Sequence, residues 1–326
     1  MTVTAARGRW GATAVAADPP IEVALVNNMP DAAFAETERQ FLRLVQAGSA
    51  ERRVTVRLSA VPEPGRGEEV QRILADRYER LEVLYRSPPD AVVVTGSEPR
   101  HADLREEVTW RDLSELCRWS VRSTSAVAFS CLASHCALLA DEGIERRRLA
   151  AKLSGVYVQA VGAHPLVAGL GPVVPCPHSR LHDVPARTIE EHGYSVALAA
   201  PASGWSVAVR DGACLTMLLQ GHPEYAPTTL LREYRRDVRR YLSGEMASYP
   251  RVPAGYLDVE GVALLDRFRD AVTGGRPDAA SLERFPFAAC ADRIAADWQA
   301  PMEHLFANWL AQVGERKLRR TLRRAG

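Results

Sequence analysis

Short apolar runs that end at turn residues alternate, over the first ~140 residues, with stretches whose apolar positions recur every three or four residues. IEVALV from Ile21, halted by Asn27-Asn28-Met29-Pro30, reads as a buried strand. AETERQFLRLVQAG follows with Phe41, Leu42 and Val45 at helical spacing and Gly48 as its stop. Arg53 to Val61 alternates like a strand, and Glu68 to Leu84 reads as one charged amphipathic helix. DAVVVTGSEP (Asp90 to Pro99) is a buried strand that runs into a glycine loop. Trp110 to Trp119 reads as helix, Ser125 to Cys131 as strand, and the stretch after Cys131 as a helix closed by Gly143. Further strands are predicted at Tyr194 to Ala200, Trp205 to Arg210 and within CLTMLLQGHPEY (Cys214 to Tyr225). A long helix, TLLREYRRDVRRYLSG, comes next. Strand and helix in strict alternation predict an α/β fold with a doubly wound, mainly parallel sheet. Three stretches are expected: a loose Ala-, Gly- and Thr-rich arm over residues 1–20, an α/β domain over 21–245, and a mainly helical extension over 246–326 packed on the core.

Composition narrows the class. Hydrophobic residues make up 47% and charged residues 25% of the 326, globular averages that exclude a disordered or fibrous chain. Lysine plus arginine total 41 against 40 acidic residues, a balance that speaks against nucleic acid as the main partner. No apolar run approaches the ~20 residues that a membrane crossing needs, so no membrane partner is expected. The six cysteines form no CxxC pair, and the eight histidines form no ligand cluster, so neither zinc nor another metal is expected. Scattered thiols suit a reducing compartment and, with no apolar leader, point to the cytoplasm.

In open α/β sheets, reactive groups gather at the carboxyl ends of the strands. Three such ends carry chemistry: Thr95-Gly96-Ser97, Ser130-Cys131-Leu132 and Gln220-Gly221-His222-Pro223-Glu224. Cys131 closes a strand and opens a helix, the arrangement of a nucleophile elbow, where the helix N-terminus favours a thiolate. The N–H of Leu132, with a second donor from the Gly96 loop, can hold an oxyanion. His222 supplies the base, and Glu224, two residues on, can fix its tautomer. Each piece has a plainer reading, a core cysteine and a surface turn, and only their joint occurrence at two strand ends outweighs it. The basic segment with Arg316, Lys317, Arg319, Arg320, Arg323 and Arg324 reads as a solvated helix end, with attraction to polyphosphate or nucleic acid as the second reading.

These strings, together with VALVNNMPDAAFAETERQFLRL, KLSGVY, HPLVAGL, PCPHSRLHDV, GHPEY with a downstream EYRRDV, and FANWL, run in order from Ile21 to Leu310. So arranged, the chain is similar to the class I glutamine amidotransferase-like fold and resembles the homoserine O-acyltransferase family of methionine biosynthesis. The resemblance implies a flavodoxin-like sheet and a ping-pong transfer from an acyl-CoA co-substrate, with no tightly bound cofactor, to a hydroxy amino acid. Cys131 would carry the acyl group, His222 would act as base and acid, and Glu224 would orient it. Lys152 and Ser179 would position the substrate, and Arg236 would hold the acceptor's α-carboxylate through its guanidinium fork. A homodimer is also implied. The chain departs from the family pattern at Leu132 to His135, where His135 is expected to be a core histidine satisfied by backbone. It departs again at Arg100, a cation where the family has a small or acidic residue that influences donor choice. Acetyl or succinyl donors and homoserine or serine acceptors stay open. Two other readings stay open as well: an amide hydrolase using the same three residues, and an inactive binding relative.

Overall fold

The computed structural model describes residues 4–6, 9–12, 20–49, 52–274 and 278–325. In chain order its strands and helices are β1 (Thr4–Ala6), β2 (Arg9–Ala12), β3 (Ile21–Val26), α1 (Asp31–Gly48), β4 (Val54–Ser59), α2 (Glu68–Arg77), α3 (Leu81–Arg86), β5 (Ala91–Val94) and α4 (Trp110–Ser123). Then come β6 (Ala126–Ser130), α5 (Leu132–Glu142), β7 (Arg147–Val161), β8 (Val173–Asp183), α6 (Ala186–Glu191), β9 (Ser195–Ala200), β10 (Gly204–Arg210) and β11 (Leu215–Leu219). The last helices are α7 (Thr229–Leu242), α8 (Val259–Thr273), α9 (Phe287–Ala291) and α10 (Gln299–Ala325).

All the strands join one sheet in the order β1-β2-β4-β3-β5-β6-β11-β10-β9-β7-β8. The centre, β4-β3-β5-β6-β11, is parallel, and antiparallel strands extend it on both sides. Its strands are buried on both faces, which is why they are continuous apolar runs. On β3 the pleat sends Ile21, Val23 and Leu25 to one core, and Ala24 and Val26 to the other. The first core is covered by α1, α7, α8 and α10, the second by α3, α4 and α5. The order makes β5, β6 and β11 immediate neighbours, so the three chemistry-bearing strand ends lie side by side.

Three expectations are corrected, and one hairpin is added. The loose arm over residues 1–20 contains two short strands, β1 and β2, with β2 paired antiparallel to β4. The open backbone edge of β4 supplies pairing partners that composition does not report; the rest of that stretch lies outside the described residues. The single helix over Glu68 to Leu84 is broken between α2 and α3. Tyr78 is extended there, and Glu79 donates its N–H to the Leu58 carbonyl at 2.8 Å. The Glu79 carboxylate also meets the buried Arg57 guanidinium at 2.7 Å, an ion pair that a continuous helix would not allow. The hairpin β7–β8 is absent from the pattern reading because Pro175, Pro177 and the mixed polarity of both segments hide it. Prolines are tolerated in β8 because it is the edge strand. The basic segment of α10 is not simply solvated. Lys317 binds Asp90 at 2.7 Å and the Pro20 carbonyl at 2.6 Å, and Arg316 binds Asp211 at 2.6 Å. Arg320 donates to the Ser123 carbonyl at 3.1 Å. These contacts fasten α10 across the starts of the parallel strands, the opposite end from the candidate chemistry. The side chains of Arg323 and Arg324 lie outside the described residues.

Candidate active site

Cys131 sits between the last residue of β6 and the first of α5 with φ 49° and ψ −110°. It is the only non-glycine residue with positive φ among those described. Such a conformation costs about 1–3 kcal/mol and persists only where neighbours enforce it. The neighbours are explicit: the Cys131 N–H donates to the Leu219 carbonyl at 2.7 Å, and the Ser134 hydroxyl donates to the Phe129 carbonyl at 2.6 Å. The strained turn lifts the thiol out of the core, so Cys131 is half-buried while the five other cysteines are buried. The first N–H groups of α5, beginning with Leu132, have no intrahelical acceptor and surround the elbow. Gly96 packs directly on it. A Cβ there would lie 3.2 Å from the Leu132 nitrogen and 3.3 Å from the Cys131 Cβ, so a side chain would force the β5 loop away.

The base comes from the end of β11. Gly221 lets this backbone pass against β8, since a Cβ would stand 2.4 Å from the Cys176 sulfur. The His222 N–H then donates to the Pro177 carbonyl at 2.8 Å. His222 Nδ1 and Glu224 Oε1 are 2.8 Å apart, and both side chains are buried. Nδ1 faces the carboxylate, which leaves Nε2 as the nitrogen that can exchange a proton with Cys131. Nε2 is buried and makes no hydrogen bond, while the Cys131 side chain is near enough to act on the ring; catalytic hydrogen bonds often tighten only when substrate binds. Burial opposes the imidazolium, yet the Glu224 charge, with Cys131 beside the ring, outweighs it and holds the His222 pKa well above its ordinary value. Tyr225 stacks on the ring, centroids 4.2 Å apart at 22°, and fixes its plane.

From Tyr225 a polar network runs onto α7. The Tyr225 hydroxyl donates to Glu233 Oε1 at 2.6 Å, and the Ser179 hydroxyl donates to Glu233 Oε2. Lys152 Nζ lies 2.6 Å from Asp237 Oδ2 and 3.8 Å from Glu233. Arg236 donates from Nε and Nη2 to the single Asp237 Oδ1, each at 3.2 Å, which leaves the rest of its fork available. Arg240 reaches Glu98 of the β5 loop at 2.8 Å.

The structure therefore gathers Cys131, Leu132, Gly96, His222 and Glu224 at three adjacent strand ends, and connects Lys152, Ser179 and Arg236 to them through Tyr225, Glu233 and Asp237. Arg100 stands apart: it is exposed and pairs with Glu63 at 3.0 Å. His135 is a buried core residue, but its partner is the Gln220 side chain at 3.1 Å rather than backbone. Sequence reasoning assigned nothing to Tyr225, Glu233 and Asp237. The one signal was their place in GHPEY and EYRRDV, where they read as helix charges and a turn. Among the described residues, no group of three or more His, Cys, Asp or Glu side chains is arranged to hold a metal ion, and no helix is long and apolar enough to cross a membrane.

Comparison with known proteins places the chain. It matches the family model "Homoserine O-succinyltransferase" over residues 12–317. It is 40% identical over 294 residues to the homoserine O-succinyltransferase of Rhodopseudomonas palustris, covering 90% of this chain and 88% of that one. The chain belongs to the homoserine O-succinyltransferase family. It is accordingly a transferase. The homoserine O-succinyltransferase of Methylorubrum extorquens is 40% identical over 297 residues, with 91% of this chain and 88% of that one covered. Among solved structures, a glutamine amidotransferase from Thermotoga maritima aligns with a TM-score of 0.48 at 11% identity, over 90% of this chain and 98% of that one. Another from Methylobacillus flagellatus aligns with a TM-score of 0.46 at 14% identity, over 90% and 94%.

Proposed function

We propose that this member of the homoserine O-succinyltransferase family moves an acyl group from an acyl-CoA thioester to the side-chain hydroxyl of homoserine through an acyl-cysteine. In the first half-reaction the Cys131 proton rests on His222 Nε2, as the raised pKa of the ring favours, and the sulfur attacks the thioester carbonyl. The N–H groups of Leu132 and Gly96 meet the oxyanion. Collapse breaks the bond to the CoA sulfur, which leaves with the proton from His222. In the second half, the homoserine hydroxyl gives its proton to Nε2 as its oxygen attacks the acyl carbonyl. The bond to Cys131 breaks and the sulfur recovers a proton. Glu224 holds the Nδ1 proton throughout and stabilises the imidazolium between the two transfers. Arg236 receives the α-carboxylate of homoserine, and Lys152 and Ser179 position substrate and intermediate.

What supports this reading is the meeting of Cys131 with the buried His222–Glu224 pair at neighbouring strand ends, joined through Tyr225, Glu233 and Asp237 to Lys152, Ser179 and Arg236. The test is intact mass after incubation with acetyl-CoA or succinyl-CoA. The expected result is one acyl adduct that disappears on adding homoserine and never forms in Cys131→Ala; no adduct with either donor overturns the reading. Arg236→Ala is expected to raise the KM for homoserine about 10- to 100-fold while adduct formation stays within about 3-fold. Equal loss in both half-reactions would refute the carboxylate role.

A further inference from the structure

Among the described residues, the buried arginines are paired with carboxylates. Arg57 has Glu22 and Glu79, Arg66 has Asp31 and Glu63, and Arg180 has Asp183, with side-chain exposures of 3%, 5% and 4%. This is the ordinary arrangement, because a guanidinium withdrawn from water without a counter-charge is costly. Arg146 breaks the rule. It lies four residues past the end of α5, half-buried, and among the described residues no carboxylate makes an ion pair with it.

Its hydrogen bonds go to neutral groups. Nη2 donates to the main-chain carbonyls of His101 at 3.0 Å and Ala102 at 3.1 Å, and Nε is buried with no partner. The acids nearest in charge are otherwise engaged. Glu107 Oε1 accepts the N–H groups of Arg100 and His101 at 2.6 and 2.7 Å, and Asp103 pairs with Arg105 at 3.2 Å. Burial pushes the Arg146 pKa down and the pull of nearby Glu107 and Asp103 does not overcome it, whereas at Arg57, Arg210 and Arg236 the neighbouring acids outweigh burial and the pKa rises.

The location matters as much as the missing partner. The loop that Arg146 grips begins at Gly96, which packs on Cys131. A cation with no ion-pairing carboxylate among the described residues is therefore bonded to the loop that starts beside the nucleophile. Arg100, the cation that the sequence offered for donor recognition, is already paired with Glu63.

We infer that Arg146 reads an anion on the acyl donor, namely the free carboxylate of a dicarboxylic monothioester such as a succinyl thioester. This rests on the acyl-cysteine reading above. A carboxylate at the far end of the acyl chain would complete the guanidinium's charge pairing, and a bare acetyl group would leave it unpaired.

The experiment measures the rate constant for acylation of Cys131 in the full chain. It uses succinyl and acetyl thioesters of CoA and of N-acetylcysteamine, which lacks CoA's phosphates, with wild type, Arg146→Gln and Arg146→Lys. Wild type is expected to prefer the succinyl over the acetyl N-acetylcysteamine ester by about 10- to 100-fold, the worth of one charge-assisted hydrogen bond. Arg146→Gln should erase that preference while acetyl transfer to Cys131 stays within about 3-fold, and Arg146→Lys should keep part of it. Wild type without a preference for the succinyl ester overturns the proposal whatever the variants do. Equal losses with both acyl groups, truncated or not, reduce Arg146 to a support for the loop and overturn it as well. Losses with both CoA esters but neither truncated ester assign the anion to CoA's phosphates and overturn the carboxylate assignment. If acetyl donors still acylate Cys131, the acyl-cysteine reading survives each of these outcomes; no acylation by any donor defeats both.

Discussion

Two neighbourhoods on α5 bring together a cysteine and a histidine. At the helix start, Cys131 is half-buried on a strained turn, and His222 reaches it with the Glu224 carboxylate at 2.8 Å behind the ring. One turn along, His135 and Cys136 are fully enclosed, and the His135 ring meets the neutral Gln220 amide at 3.1 Å. Gln220 and His222 come from the same strand end, two residues apart. Burial dominates the second neighbourhood, driving the His135 pKa down to about 4 and the Cys136 thiol up to about 12. In the first, a carboxylate overrides burial and the His222 pKa rises. The residue types are the same; the charge of the partner and the turn that exposes the sulfur separate chemistry from packing.

Mutations can break or sharpen this contrast. The largest effect is expected from the sulfurs: Cys131→Ala should cut acyl transfer by about 1000-fold or more, while Cys136→Ala stays near wild-type turnover and loses only about 1 kcal/mol of stability, read by steady-state kinetics and urea unfolding. Next, Glu224→Gln gives His222 the kind of partner that His135 has. Transfer should then fall about 100- to 10,000-fold with the chain still folded, and activity within 10-fold of wild type would show that the carboxylate is dispensable. The smallest effect concerns pH. His135 stays neutral in the folded chain down to about pH 4, whereas in the unfolded chain it takes up a proton near the ordinary histidine value of 6.5. The unfolded state therefore binds more protons between those values, and stability falls as the pH drops through that window. His182, also lowered to about 4, and His178 add to the same loss. His222 has the opposite sign: its contribution is complete below the unfolded value and fades as the pH rises through the raised folded value, so it adds no slope on the acid side. His135→Gln should flatten the acid limb by about 2 kcal/mol between pH 6.5 and pH 4, measured by urea unfolding across pH.

The parallel centre of the fold was legible because strands buried on both faces must be continuously apolar and must stop at turn residues, as Ile21 to Val26 and Ala126 to Ser130 do. The elbow was legible for a related reason, since a polar nucleophile between a buried strand and a helix has few structural uses. What escaped were features set by pairing across long separations. The β7–β8 hairpin carries prolines that only an edge strand tolerates, and edge position is decided by the rest of the sheet. The break at Tyr78 depends on Arg57, more than twenty residues earlier, needing Glu79 beside it. Glu233 and Asp237 look like ordinary helix acids until Ser179, Tyr225 and Lys152 arrive from three other elements. Arg146 is invisible in sequence because its defining property is a partner it lacks.

The packing of α10 on α1 has a consequence for how the molecule comes into being. Met302, Leu305, Phe306, Trp309, Leu310 and Val313 form a fully buried stripe that shares one core with Phe41, Leu44 and Val45, and Arg43 meets Glu303 at 2.8 Å across the two helices. During translation, α1 leaves the ribosome more than 250 residues before the surface that covers it. Until residues near 313 are free of the exit tunnel, that apolar face is open to solvent and to chaperones. Nascent chains released before that point would be expected to aggregate or be degraded rather than accumulate as partly active protein.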